Sequence, residues 1–113
     1  MKFLCLGYFD REAMAALPQA EIDALMGQCT AHMEIFHGTG QVLVDAGLDL
    51  KAKSLRRRKG KLAVTDGPFV ETKEMVGGLW VIECEDLDEA KSLAKRATVA
   101  CGVPVEIRPF HSI

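Results

Sequence analysis

Hydrophobic residues recur along this chain with a period that switches between two and about 3.6 residues, and this alternation limits the possible folds more than any composition figure does. Residues 2 to 9, opening Lys2-Phe3-Leu4-Cys5-Leu6, read as a strand. Residues 19 to 38 read as a helix, opened near Pro18 and stopped by Gly38 and Gly40. Its apolar positions, Ile22, Leu25, Met26, Cys29, Met33 and Phe36, step by three and four along one stripe. Gln41 to Leu50 returns to β composition, and Ser54 to Asp66 reads as a hairpin turning at Lys59-Gly60, where glycine can take a positive φ. Gly78 to Glu85 is the strongest strand. Asp86 with Glu89 three residues later resembles a capping box and opens a second helix, whose buried side is Leu87, Ala90, Leu93, Ala94 and Ala97 and whose stop is Gly102. Val103 to Phe110 is the last strand.

The order β-α-β, hairpin, β-α-β predicts an α+β fold: a ferredoxin-like split βαβ with a hairpin insertion, in one domain spanning residues 1–113. A hydrophobic content of 49% fills one core of this size without metal or disulfides. Two helices cover one face of such a sheet. Strand one is nevertheless apolar at both parities, with Phe3, Cys5 and Phe9 on one side and Leu4, Leu6 and Tyr8 on the other, and Leu79-Trp80-Val81-Ile82 repeats the pattern. A sheet with one solvated face alternates instead. The surplus predicts a homodimer, the two sheets meeting face to face.

With 14 basic and 16 acidic residues the chain lacks the broad positive field that nucleic acid requires, so no direct nucleic-acid contact is expected. The apolar run at the N-terminus is too short for a membrane span and has no cleavage-site pattern. Cys5, Cys29, Cys84 and Cys101 form no C-x-x-C pair, which argues against zinc or a dithiol redox motif, and each sits in an apolar segment as a free thiol would. A reducing cytoplasm is the expected compartment. No cofactor and no metal is expected.

The chemically dense stretch is Asp66-Gly67-Pro68-Phe69-Val70-Glu71-Thr72-Lys73-Glu74, followed by Gly77-Gly78. Asp66-Gly67-Pro68 is turn chemistry and Phe69 an anchor into the core, which leaves Glu71 to Glu74 without a purely structural account. This signature resembles that of the YCII-related proteins known as the DGPF domain. The opening Lys2-Phe3-Leu4, the Asp86-Leu87-Asp88-Glu89-Ala90 helix start and the closing Val105-Glu106-Ile107-Arg108-Pro109 are similar too. The resemblance implies a dimeric α+β barrel. In one branch of the family it also implies an acid–base couple of a first-helix histidine and an aspartate; the matching position here is nearest Cys29, with His32 one turn further on. A regulatory association with extracytoplasmic-function sigma factors is a second implication.

Among individual residues, His32 at the edge of the helical stripe is the natural general acid or base, its bland alternative being a core-edge histidine bonded to backbone. His37 near the helix end suits the carbonyl dipole as a cation. Asp66 can orient His32 or serve only as a turn residue. Glu71, Lys73 and Glu74 can polarise a ligand or pair among themselves in solvent. Arg56, Arg57, Arg58 and Lys59 form the one basic run, read as an anion fork or as a solvated edge that discourages aggregation. Tyr8 and Trp80 line a pocket or fill core. The reading that follows is a small-molecule-binding protein, in its catalytic form a cofactor-independent acid–base enzyme, with a pocket between sheet and first helix. His32 and Asp66 are its catalytic pair, and Tyr8, Glu71, Lys73 and Glu74 its ligand contacts. The alternative is a non-catalytic dimeric regulatory module.

Overall fold

The computed structural model describes residues 1–49, 51–67 and 74–111. Strand β1 (Lys2–Asp10) runs into a six-residue helix, α1 (Arg11–Ala16), that periodicity did not reveal. Asp10 starts it by accepting a hydrogen bond from the Ala13 amide at 3.0 Å. Pro18, extended at ψ 149°, separates it from α2 (Gln19–Gly38). Then come β2 (Val42–Gly47), β3 (Lys53–Arg58), β4 (Lys61–Asp66), β5 (Glu74–Glu83), α3 (Leu87–Cys101) and β6 (Val105–Pro109).

The main sheet is ordered β2-β5-β1-β6 with every neighbouring pair antiparallel, the ferredoxin-like order, while among the described residues β3 and β4 pair only with each other. Both helices pack on one face. Phe3 and Cys5 of β1, Ile82 of β5, Phe36 of α2, and Ala90, Leu93 and Ala94 of α3 form the buried core with Cys84. Register places Leu4, Leu6 and Tyr8 opposite Val81, Leu79 and Val76 on the other face, where they are only partly buried. Both parities of the central strands are therefore apolar, as the sequence requires.

Helix α3 begins as expected, with Asp86 Oδ1 accepting from the Glu89 amide at 2.8 Å. The return contact differs from a capping box: Glu89 accepts from the amide of Glu85 at 3.2 Å, and its other carboxylate oxygen takes the Gln41 side-chain amide. Gly102 stops the helix in the left-handed region at φ 65°, its amide donating to the Thr98 carbonyl.

Four expectations need correction. Leu87 is 48% exposed because it opens α3, ahead of the turns that press on the sheet. Met26 is 56% exposed because it lies on the margin of the α2 stripe, where the helix flank turns to solvent. Strand β5 begins at Glu74 rather than Gly78, since Gly77 and Gly78 sit within the strand at a bulge. The cysteines are not all free: Cys5 and Cys84 are free and buried, whereas Cys29 is disulfide-bonded. Linear spacing excludes only a local pair, whereas a disulfide needs closeness in space. The compartment argument from unpaired thiols goes with it. Among the described residues no helix is long and apolar enough to cross a membrane.

The β3–β4 hairpin turns at Lys59 (φ 49°) and Gly60 (φ 77°), both left-handed, as in a two-residue turn that matches strand twist. Its base is tied by the Gly67 amide to the Ala52 carbonyl at 2.7 Å, by the Ser54 hydroxyl donating to the Gly67 carbonyl, and by the Lys53–Asp66 ion pair.

Candidate functional site

At one end of the β1–β5 ladder the side chains give out. Gly7 faces Gly78 across the ladder, and Gly77 is the extra residue of the bulge, so three positions that would carry side chains carry none. The emptied volume is taken up in part by rings. A Cβ at Gly77 would come within 2.3 Å of the Phe9 ring, and one at Gly7 within 3.0 Å of the Trp80 ring. What remains is a cleft of about 260 Å³ between this end of the sheet and helix α2, lined by Gly7, Tyr8, Phe9, Cys29, Trp80 and Val103, with Leu48, Gly77 and Gly78 completing it. That volume is just below the range of about 300–1,000 Å³ common for small-molecule sites, and suits a ligand of one ring.

Its lining is almost wholly apolar. The indole N–H of Trp80 is buried and has no hydrogen-bond partner among the described residues. A buried donor left unpaired is costly, about 1–3 kcal/mol. Trp80 also meets Phe36 edge-on, with ring centroids 6.4 Å apart, so one ring belongs to both core and cleft.

The bulge changes which residues look into the cleft. Without it Glu74, an even number of residues from Trp80, would share the helix face; with it Glu74 pairs with Asp10 and falls in phase with Tyr8 on the open face. Tyr8 borders the cleft, but its hydroxyl donates to Glu106 at 3.2 Å on the open face. Loss of solvation, and then the Glu106 carboxylate beside it, raise the phenol's pKa, so Tyr8 stays protonated at neutral pH. Asp66 is exposed and ion-paired with Lys53 at the hairpin base. Cys29 lines the cleft. Glu71 and Lys73 lie outside the described residues, as does the side chain of His32; its backbone places it one turn beyond Cys29 on α2. The structure thus brings Tyr8 and Cys29 to the cleft and sets Asp66 and Glu74 apart from its lining.

One acid–base pair was missed. His37 Nε2 lies 2.7 Å from Asp45 Oδ2, joining the last turn of α2 to edge strand β2. Asp45 sits directly across the ladder from Trp80. The helix end suggested a dipole role for this histidine, and an eight-residue separation spanning a turn offers no periodic signal for a contact.

The model of the YCII-related domain matches residues 1–111. The chain belongs to the YCII-related family. An uncharacterised protein of Rhizobium meliloti (strain 1021) is a relative of this YCII-related protein, 33% identical over 115 residues that cover 97% of this chain and 92% of the relative. A solved structure with a similar fold is the 5-chloro-2-hydroxyhydroquinone dehydrochlorinase of Burkholderia phenoliruptrix AC1100 in complex with 2,5-dihydroxybenzoquinone. It is 18% identical, with a TM-score of 0.54 covering 98% of this chain and 94% of that one. At that identity the likeness establishes a shared fold for the YCII-related protein and nothing about its reaction.

Proposed function

We propose that this YCII-related protein binds a small, flat, largely apolar molecule in the glycine-floored cleft, and that its catalytic form is an acid–base enzyme using its own side chains. The observation that carries this is the cleft itself: an opening beside two aromatic rings, made by glycines where strand side chains would stand. That a dehydrochlorinase of the same fold was solved with a dihydroxybenzoquinone is in keeping with a one-ring ligand. The acid–base step is assigned to His32, one turn beyond Cys29 on α2. A homodimer closing the open sheet faces into an α+β barrel belongs to the same proposal, supported by the partly exposed Leu4, Leu6, Leu79 and Val81.

Trp80 is the chain's single tryptophan, so its fluorescence reports on the cleft without a label. Titration with 2,5-dihydroxybenzoquinone and simple phenols, corrected against free tryptophan, should give saturable quenching and a raised melting temperature. H32A should retain that binding and lose turnover of any ligand found to react. Absence of saturable quenching and of thermal stabilisation across the panel at millimolar concentration would remove the reading.

A further inference from the structure

The β3–β4 hairpin stands apart from the rest of the molecule in three independent ways. Among the described residues it shares no ladder with the main sheet. Its charge is opposite: seven of the 14 basic residues fall between Lys51 and Lys61, whereas 15 of the 16 acidic residues lie outside residues 51–66. And it exposes apolar side chains, Leu55 at 55%, Leu62 at 68% and Val64 at 56%. Register puts these three on one face, since Leu55 pairs with Val64 and Arg57 with Leu62; Lys53 and Arg57 share that face, and Arg56, Arg58 and Lys61 occupy the other. The hairpin is a two-sided ribbon: one side carries the apolar stripe with Arg57 inside it, the other the cations Arg56, Arg58 and Lys61.

An isolated two-stranded hairpin is only marginally stable in water. This one projects. The molecule measures 47 × 45 × 17 Å, and its radius of gyration of 16.2 Å exceeds the roughly 13 Å of a compact chain this long. We infer that the hairpin is a clasping arm whose occupant is a second copy of this chain, the apolar stripe Leu55, Leu62 and Val64 resting on the partner's body and Arg57, on the same face, meeting its acidic surface. The choice of a second copy rests on charge complementarity. The body left after the arm is removed carries 15 acids against seven bases, so each copy offers what the other's arm lacks, while the overall charge of −2 does not draw in a polyanion. The arm adds to the face-to-face dimer proposed above a contact that sheet packing does not require, and its test leaves the cleft untouched.

Sedimentation velocity on the full chain across 0.1–100 μM compares wild type with a Leu55→Ser/Leu62→Ser variant and with Arg57→Glu. Expected are a wild-type dimer, a dissociation constant raised about 100-fold by the double variant, and a smaller rise for Arg57→Glu that shrinks as salt goes from low to high. Circular dichroism and Trp80 fluorescence should stay as in wild type, which separates loss of clasping from loss of fold. Wild-type dissociation constants in both variants, or a wild type that is monomeric throughout, would overturn the inference. So would arm-dependent binding of wild type to phosphatidylserine vesicles or to single-stranded DNA without any effect of the variants on self-association. Failure here with ligand quenching retained leaves the cleft reading standing, and the converse holds.

Discussion

The two ends of the β1–β5 ladder are built from the same pair of strands in opposite ways. At one end Phe3 faces Ile82 and Cys5 faces Trp80, and Phe3, Cys5 and Ile82 are buried against Phe36 and α3. At the other, Gly7 faces Gly78 and Gly77 is extruded, and the helix face opens into a cleft. The contrast coincides with the bulge at Gly77 in the ladder. It comes from what the residues carry beyond Cα: where side chains are large the strands make core, and where they are absent the same strands make a cleft. Core and cleft are thereby set at different ends of one element.

That division can be broken from either side. The largest effect belongs to the closed end: Phe3→Ala, at a fully buried ring, should cost about 3–5 kcal/mol in chemical denaturation. Ligand affinity of the folded fraction should stay nearly unchanged, and a parallel loss of affinity would mean that the two ends are not separate. At the open end, Gly77→Ala puts a methyl where the Phe9 ring lies and should cost about 1–3 kcal/mol through overpacking while abolishing quenching of Trp80 by the one-ring probes. Retained binding would show that the glycine floor is not the site.

The smallest effect is electrostatic and again falls at the closed end. Burial, with Cys84 nearby, pushes the Cys5 thiol up to about 11 from 9.0. The folded state therefore holds this proton more tightly than the unfolded chain does. The stabilisation is complete below pH 9 and is lost as pH rises through about 11. Melting temperatures measured from pH 8 to 11 should fall, and Cys5→Ala should flatten part of that fall. Tyr8, shifted in the same direction, supplies a second portion that Tyr8→Phe removes. An unchanged slope in Cys5→Ala would place the titrating group elsewhere.

Much of the fold was legible because its signals are local. Helix α2 matched its periodicity end to end, the Lys59-Gly60 turn announced its hairpin, and Asp86 with Glu89 marked α3. What escaped was phase. One extra residue at Gly77 reverses which side of β5 the residues before it occupy, and no property of the Gly77-Gly78 pair distinguishes a bulge from a strand boundary. The His37–Asp45 pair and the bonding of Cys29 escaped for a related reason: each depends on where distant segments meet, which spacing along the chain does not encode. Tyr8 beside the cleft was readable from its strand, yet its hydroxyl's partner, 98 positions away, was not.

The separation of charge between arm and body has a consequence for how the molecule behaves in an electric field. A net charge of −2 describes the sum and conceals the arrangement, which is that of a strong dipole with its positive pole on a projecting ribbon. Such a particle orients before it touches anything. At neutral pH and low salt it presents cations to a negatively charged resin and anions to a positive one, and is retained by both.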